Sequence, residues 1–564
     1  MRIVIIGAVA GGASAAARAR RLSEEAEITL IERGEAPSFA NCGLPYYIGG
    51  VIEQRGRLLV VPAQRLIDRY RLGVRTRSEA LAIDRANRIV RIRNLATGEE
   101  YCLPYDKLIL SPGAAPIRPP IPGIDLPQVY TLRDLRDADR LHAAATGAKR
   151  AVVVGGGFIG LEMAENLTHR GVATTVVELS EQLLPPWDAE MVAPIMAHLR
   201  ERGVAIKLRD AASAIEPAES GVMVKLRSGE LLAADMVVMS VGVRPDSKLA
   251  VEAGLEVGPR GGIRVSDQMQ TADPDIYAVG DAIETRHLVD GSPTQIPLAG
   301  PANRQGRIAA DHIFGRSTRY AGTQGTAIVG VFEMAAAMTG LSEKALRAAG
   351  TPFEKIYIHP GNHAGYYPGA KQMSLKLLFA PDGGRLLGAQ AVGSEGVDKR
   401  IDVLAVAIKA GMTAYDLEEF ELSYAPQFGS AKDPVNMAGF VASAVLRGDM
   451  PVTHAEDLAA EAGQPEGGQS DGAQSEGTNG ELVLDVRAAS EFVAGHVPGA
   501  LNIPVDVLRD QLGELERDRA IIAYCQVGMR GYLATRILTQ HGFKVRNLSG
   551  GYATYKQVLA AREG

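Results

Sequence analysis

The sequence predicts a multidomain α/β chain. A strand–turn–helix–strand unit occurs twice, a separate α+β unit follows, and a small α/β domain stands at the C-terminal end. Three observations predict it. The chain has 564 residues, more than one hydrophobic core serves, so several domains are expected. The segments "RIVIIGAVAGGASAAARARRL" and "RAVVVGGGFIGLEMAENLTHRG" each run from a β-branched strand through a glycine turn into a helix. A Gly/Ser/Gln/Glu-rich stretch, roughly residues 461 to 481, has no large apolar residue and sets off the last 84 residues.

Composition narrows the function classes. With 46% hydrophobic and 22% charged residues the chain reads as a soluble globular protein. A net charge of -6 argues against a general binder of nucleic acid or anionic membrane. The three cysteines, Cys42, Cys102 and Cys525, cannot make a disulfide framework, so a reducing cytoplasm is the expected home. The start, "MRIVIIGAVAGGASAAARARR", is apolar after one charge, like a signal peptide. Its apolar run "IVII" is too short for one, and Arg18, Arg20 and Arg21 close it, so it reads as strand, turn and helix. No stretch is long and apolar enough to span a bilayer.

In chain order, the first helix leads on to the strand "EITLIER", and the second to "ATTVVELS", each ending in glutamate. Between the two units, "YDKLILSPGAAPIRPPIPGI" is a strand running into a Pro/Gly-rich crossover. "DMVVMSVGVRPDS" and "DIYAVGDAIET" are further buried strands followed by turns. From about Gly325 the texture changes. "TAIVGVFEMAAAMTG", "YIHPGNHAGYYPGA", "SLKLLFA" and "RLLGAQAVG" read as strands with turns, and "VDKRIDVLAVAIKAG" and "TAYDLEEFELSY" as helices. "VTHAEDLAA" reads as a short helix belonging to the C-terminal domain. After the polar stretch come the strand "LVLDVR", the strand "AIIAYC", the helix "GYLATRILTQHG" and the strand "KVRNLSGGY".

The motifs carry chemistry. Gly155, Gly157 and Gly160 form an intact GxGxxG, whose glycines let the backbone approach a pyrophosphate at a helix N-terminus. Glu178 ends the next strand, where a carboxylate bonds ribose hydroxyls and repels a 2′-phosphate, favouring NADH over NADPH. The first unit keeps Gly7 and Gly12, adds Gly11, and has Val9 where the middle glycine belongs, with Glu32 at the ribose position. Gly280 and Asp281 follow a buried strand, a setting in which an aspartate can bond a flavin's ribityl chain. Two such units suggest FAD on the first and NAD on the second.

Cys42 stands in "SFANCGLPYYIGG", with glycine and proline after it and no second cysteine for a dithiol. A helix beginning at Cys42 would put the thiol at its positive end, lower its pKa and make it a nucleophile. Cys102, in the strand-like "EEYCLPYD", lacks such a setting and reads as structural. Cys525 opens "CQVGMRG" between a strand and a helix. The residues 525 to 530 can curl so that backbone N–H groups point at the sulfur, and Arg530 adds positive charge, a nest suited to a thiolate, a persulfide or an anion.

These segments carry a resemblance. "GAVAGG", "SFANCGLPYYIGG", "SPGAAPIRPPIPG", "GGGFIGLEMAE", "YAVGDA" and "SYAPQFGSAKDPVN" resemble the flavin disulfide reductases with a single active-site cysteine, in the branch of coenzyme A-disulfide reductases and NADH oxidases. The Val9 departure is itself typical of that branch. "LDVRAASEFVAGHVPGALNIP", "YCQVGMRG" and "NLSGGY" resemble a rhodanese domain. The combination is similar to coenzyme A-disulfide reductase–rhodanese fusions, a group associated with NADH-dependent reduction of persulfides and polysulfides.

The resemblance implies an architecture of two Rossmann-like domains, for FAD and NAD, an α+β dimerisation domain and a C-terminal α/β rhodanese domain. The implied boundaries are 1–113 and 266–324 for the FAD domain, 114–265 for the NAD domain with its crossover, 325–446 for dimerisation, 447–480 for a linker and 481–564 for rhodanese. It implies that Cys42 attacks a sulfur–sulfur bond and rests as a mixed disulfide with coenzyme A. Phe158 would gate the nicotinamide side of the flavin and Glu162 would lie near it. Tyr367 and Tyr424 match paired tyrosines that reach the site from the partner of a homodimer, although the adjacency of Tyr366 leaves open which tyrosine acts. Ser14, Arg18, Arg21, Ser38, Asn41 and Lys432 match positions that hold coenzyme A. Further cofactor positions carried over are Ala10, Ala80, Ser111, Gly113, Ile159, Gly242, Pro297 and Ala299, and no metal is implied.

The expected activity is NADH-dependent reduction of a persulfide, polysulfide or coenzyme A disulfide. Cys525 would deliver sulfane sulfur, and the polar stretch would let its domain swing. A rival with the same cysteine count is an NADH oxidase or peroxidase in which Cys42 cycles through sulfenic acid. In a further alternative the C-terminal domain is a sulfur carrier or docking module.

Overall fold

The computed structural model describes residues 1–459 and 480–563, so most of the expected flexible stretch at about 461 to 481 lies outside the described residues. The chain divides into two compact units, Met1–Ser180 with Gly203–Thr323, and Glu181–Arg202 with Gln324–Gly564.

The first unit holds two parallel five-stranded sheets. In one, the order is Ile276–Ala278, Lys107–Leu110, Arg2–Ile6, Glu27–Ile31, Gly73–Arg75. In the other it is Ala205–Lys207, Ala173–Val177, Arg150–Val154, Met236–Met239, Val129–Tyr130. The central strands are covered on both faces, which is why they read as unbroken Ile/Val/Leu runs rather than alternating ones. Ile3, Ile5, Leu30, Leu108 and Ile109 are all buried. Ile3 stands opposite Ile28, and Ile5 opposite Leu30. In each sheet the glycine turn follows the middle strand, where the strand order reverses, the position at which such sheets bind their ligands.

The second unit begins with an antiparallel sheet in the order Ala327–Val331, Met334–Gly340, Leu386–Gly393, Met373–Phe379, Glu354–Ile358. The helix Ala189–Glu201 lies within the range expected for the NAD domain, yet it packs in this unit. Polar groups fix it there: the Tyr357 hydroxyl donates to Glu190 at 2.8 Å and the Asp188 N–H to Gln390 at 3.0 Å. The stretch "TAYDLEEFELSY" is helical only over Ala414–Glu418. Asn436 then takes the carbonyls of Leu417 and Phe420, diverting them from further helical bonding.

The C-terminal parallel sheet runs Val452–Thr453, Val545–Leu548, Ile521–Tyr524, Leu482–Asp485, Leu501–Asn502. Its edge strand lies before the polar stretch, which corrects the expectation of a linker over 447–480. The described residues on either side of the polar stretch, the edge strand Val452–Thr453 with the helix Ala455–Ala459 and the strand Leu482–Asp485, belong to this C-terminal domain. The link to the preceding helix Pro434–Leu446 is only residues 447–451, and it is bonded at Met450 N–H to Ala444 O, 3.1 Å, and at Pro451 O from Asn547 N–H, 2.8 Å.

Candidate active site

The segment around Cys42 is shaped by its neighbours before any helix begins. Ser38 has φ +50°, and its N–H donates to the Ala8 carbonyl, tying the segment to the first glycine turn. Asn41–Gly43 make a single 3-10 turn, and the helix starts only at Leu44, running to Gly49 with proline in its first turn. The helix is braced from below: His142 stacks on Tyr47 at 4.7 Å and Arg170 donates to the Ile48 carbonyl at 2.7 Å. A side chain at Gly49 would collide with Asn166, so the helix Phe158–His169 seats directly against it.

This setting reverses the expected electrostatics. Burial, followed by the Glu162 and Asp281 carboxylates, pushes the Cys42 thiol above its ordinary value rather than below it. A one-turn 3-10 start and a six-residue helix supply little positive potential against two carboxyl groups. The carboxyls are themselves perturbed. Burial and then Glu165 raise Glu162 to about 7, and burial raises Asp281. Tyr46, from the same segment, is pushed up to about 12 by burial and by Glu162, Glu165 and Cys42. Cys42, Tyr46, Glu162 and Asp281 thus form one electrostatic cluster in the first unit.

The two glycine turns are built alike. A Cβ on Gly7 would stand 2.0 Å from the Ser111 carbonyl oxygen, and one on Gly155 2.3 Å from the Ser240 oxygen. Gly12 and Gly160 each press on the carbonyl of the first glycine, at 1.8 and 1.9 Å from a built Cβ. Val9, the departing residue, occupies the N-cap of the helix Ala10–Leu22. Glu32 accepts from Ala8 N–H at 3.0 Å and Gly34 N–H at 2.7 Å, and Glu178 from Gly156 N–H at 2.7 Å and Ser180 N–H at 2.8 Å. Each carboxylate keeps lone pairs for a ribose. No atom lies within 4 Å of a Cβ built on Gly157 or Gly113, leaving open space beside the turns for a pyrophosphate.

The remaining positions line up around these turns. Gly11 closes on Ser111 and Val279, and Gly280, with φ +78°, donates its N–H to Gln305 beside Asp281. Ala299 opens the helix Ala299–Ile313, which crosses the first helix closely enough that a Cβ on Gly306 would touch the Gly11 carbonyl. Pro297 is exposed just before it, and Ala80 sits in the strand Ser78–Asp84. Phe158 and Ile159 occupy the first turn of the second unit's helix, and Gly242, with φ +105°, faces Ile117. The donor set fits two dinucleotides, FAD on the first turn with Asp281 and NAD on the second.

The residues carried over for coenzyme A divide. Arg18 is engaged with Asp311 at 2.7 Å, where Thr318 also bonds the carboxylate, so its guanidinium is structural. Ser14 donates to Asn303 at 2.7 Å. Arg21 and Asn41 are exposed and Ser38 is half-buried. In the second unit, Lys432 is exposed at the start of the helix Pro434–Leu446. There, of the two adjacent tyrosines left open by the sequence, Tyr366 shares a 2.7 Å hydroxyl contact with Tyr424. Tyr367 turns its ring to His363 at 5.7 Å. Tyr366 is 75% exposed, with Phe428 also exposed in the same unit, an arrangement suited to reaching another surface.

Cys525 follows the strand Ile521–Tyr524 and is buried, with the Gly528 N–H donating to its sulfur at 3.2 Å. Gly528 has φ +104°, which turns the loop into the helix Met529–Gln540. The Tyr552 and Ala553 N–H groups hold the carbonyls of Cys525 and Gln526, and a side chain on Gly551 would strike the Cys525 carbonyl. Arg530 reaches the thiol, but both ends of its guanidinium are bonded to Glu491 at 2.7 Å. Sequence reasoning missed Glu491. Its only local signal is an acidic residue in the first turn of the short helix Ala489–Val493.

Elsewhere in the second unit, Asp188, Glu190 and Glu343 converge as metal ligands would, but Lys376 stands among them at 2.9, 2.6 and 2.6 Å. Cys102 is exposed on the strand Glu100–Pro104. Among the described residues no helix is long and apolar enough to cross a membrane.

Comparison with known proteins agrees with this assembly. Residues 1–306 match the pyridine nucleotide-disulphide oxidoreductase model, 326–433 its dimerisation domain, and 471–557 a rhodanese-like domain. The coenzyme A disulfide reductase of Staphylococcus aureus is 36% identical over 444 residues, 78% of this chain and 99% of its own length. The crystal structure of reduced Bacillus anthracis CoADR-RHD superposes with a TM-score of 0.95 at 46% identity, covering 100% of this chain and 98% of that one. An NAD-dependent persulfide reductase from A. fulgidus gives 0.89 at 36% identity, covering 98% and 100%. The chain therefore belongs to the pyridine nucleotide-disulphide oxidoreductase family and carries a rhodanese-like domain at its C-terminal end.

Proposed function

We propose that the protein is an FAD-dependent NADH:persulfide and polysulfide reductase that also reduces coenzyme A disulfide, with Cys525 supplying sulfane sulfur. One observation carries the reading. Cys42 is a free thiol in a cluster built from the FAD unit and the NAD unit's own helix, and neither other cysteine is a local partner. The second sulfur of the redox pair must then arrive with the substrate.

The Cys42 thiolate attacks the carbon-bearing sulfur of R–S–SH. The S–S bond breaks, HS⁻ leaves with its electron pair, and Cys42–S–S–R forms. The first glycine turn, Glu32 and Asp281 would hold FAD, which would supply two electrons originating in NADH; on receiving them the disulfide cleaves to R–S⁻ and the Cys42 thiolate. Overall R–S–SH, NADH and a proton give R–SH, H₂S and NAD⁺. With coenzyme A disulfide the leaving group is a second thiolate. Glu162, near 7, can take or return the proton at physiological pH. Glu178 favours NADH over NADPH by repelling a 2′-phosphate, and two of its lone pairs are already fixed by backbone N–H groups.

Exposed Tyr366 and Tyr424 support a homodimer in which these hydroxyls meet the partner's substrate. Three free cysteines accord with a cytoplasmic setting. The test is Cys42→Ser, assayed for sulfide release from coenzyme A persulfide with NADH. A loss of at least about 1,000-fold is expected, since serine is no nucleophile toward sulfur at neutral pH. Retained sulfide release would overturn the assignment.

A further inference from the structure

Charge at the Cys525 loop bears on which sulfur donors it accepts. The loop side chains between the cysteine and Arg530 are Gln526, Val527 and Met529, none of them ionisable, and Met529 is exposed. The guanidinium that reaches the thiol is Arg530, and Glu491 grips it through two bonds of 2.7 Å. The next guanidinium, Arg487, bonds the Gln526 side chain at 3.2 Å and is buried against Asp485 at 2.6 Å. Each cation near the loop is thus matched by a carboxylate. Arg530 is the first cause that holds Glu491 at about 2, so this carboxylate stays charged throughout the neutral range.

Resting on the reading of Cys525 as a sulfur acceptor, we propose that Glu491, by gripping Arg530, selects organic persulfides over dianionic thiosulfate as donors to Cys525. The two transfers differ in the charge that leaves. With R–S–SH, the Cys525 thiolate attacks the terminal sulfur, the S–S bond breaks, and R–S⁻ departs, leaving Cys525–S–SH. With thiosulfate the same attack expels sulfite, so a dianion must first be held beside the thiolate. A bare guanidinium would hold it with a charge-assisted, bidentate contact. Here the Glu491 carboxylate occupies that fork and repels the dianionic sulfonate more strongly than it repels a persulfide, which carries less charge at its reacting end. Glu491 acts through Arg530 and is a specificity-setting residue rather than a catalytic one.

The experiment uses the full chain and reads, by intact-protein mass spectrometry, the initial rate at which Cys525 gains one sulfur from thiosulfate or from glutathione persulfide. Wild type should load faster from the persulfide. Glu491→Gln keeps an acceptor for the Ala488 N–H, which Glu491 bonds at 3.1 Å, and frees Arg530. It should raise the thiosulfate-to-persulfide ratio about tenfold, and this gain should shrink as salt rises, as a charge effect must. Glu491→Asp should restore much of the wild-type ratio. Met529→Lys, at an exposed position that folding does not depend on, should move the ratio the same way. A ratio unchanged in both Glu491→Gln and Met529→Lys, or wild type loading equally from both donors, would overturn the proposal. Failure of Cys525 to load from either donor would instead overturn the sulfur-acceptor reading and the proposal with it.

Discussion

At the scale of single residues, the candidate site was legible where the chemistry is local. Gly155, Gly157 and Gly160 announce a turn because only glycine tolerates the carbonyl contacts that a Cβ would make there. Cys42 announces itself by standing alone. Its proton affinity was not legible, because Glu162 and Asp281 come from stretches more than a hundred residues away. The sign matters for pH dependence. Burial and the two carboxylates favour the neutral thiol, so the reactive thiolate is lost as pH falls, from a higher pH than for an ordinary cysteine. Glu162→Gln removes one negative neighbour and should shift the pH profile of Cys42 alkylation by iodoacetamide to lower pH, with the rate at pH 7 rising roughly threefold. The profile should also lose the inflection near 7 that Glu162 contributes in wild type. An unmoved profile would remove Glu162 from the thiol's environment.

At the scale of elements, the strands and helices that bury an apolar face were readable from pattern, while those held by polar contacts were not. That the helix Ala189–Glu201 packs in the second unit was not legible, because nothing in its sequence says that Glu190 meets Lys376 and Tyr357. The edge strand Val452–Thr453 is two residues long and lies apart from its sheet neighbours in sequence, so it offers no period to read. Tyr366 and Tyr367 could not be told apart either, since which of two adjacent side chains meets Tyr424 depends on the loop's twist. The Lys376 cluster makes a sharp prediction for this scale. The ammonium is fully buried and ties the loop at Asp188, the helix start at Glu190 and the helix Glu343–Ala348 to the strand Met373–Phe379. Lys376→Met leaves three carboxyl groups without their shared cation and should destabilise this unit by about 3–5 kcal/mol in urea unfolding at pH 7. The pH trend should also reverse. Lys376 and Lys355 hold the Glu343 carboxyl well below its ordinary 4.5 despite burial, so wild-type stability from this group is present above that value and is lost as pH falls. In the variant, burial without the cation raises the carboxyls, and lowering the pH from 7 to 5 should recover stability.

At the scale of the whole chain, the polar stretch suggested a swinging C-terminal domain, and the sheet order removes that idea. The stretch runs from the short helix Ala455–Ala459, which follows the edge strand Val452–Thr453, to the strand Leu482–Asp485 of the same sheet, and residues 447–451 are hydrogen-bonded at Met450 and Pro451. Within the second unit the C-terminal domain is docked on the dimerisation sheet through buried polar contacts. The Tyr357 N–H donates to Ser549 at 3.1 Å, and His359 lies between Ser374 and Thr554, at 2.8 Å to each hydroxyl. Gln557 donates to the same Ser374 at 2.9 Å. The docked edge, Ser549 to Thr554, is also the edge whose N–H groups hold the Cys525 loop. Sulfur loaded on Cys525 must therefore leave on a small carrier or through the approach of another surface, because its own domain is fixed. Burial lowers His359 to about 4, so the ring is neutral when docked and protonated more readily when released. The unfolded ring binds a proton below its ordinary 6.5, so docking stability is complete above that pH and erodes as pH falls toward 4, by up to about 3 kcal/mol. The opening equilibrium at Gly550–Thr554, read as hydrogen-exchange rates divided by their intrinsic rates, should accordingly rise as pH falls from 6.5 to 4 and offset the intrinsic slowing of exchange over that range. His359→Phe leaves Ser374 bonded to Gln557 but strands the Thr554 hydroxyl, at a cost of about 1–3 kcal/mol, and should split thermal unfolding of this unit into two steps while abolishing that extra pH dependence. If exchange at Gly550–Thr554 is the same in His359→Phe as in wild type at every pH, the C-terminal domain is not held by this contact.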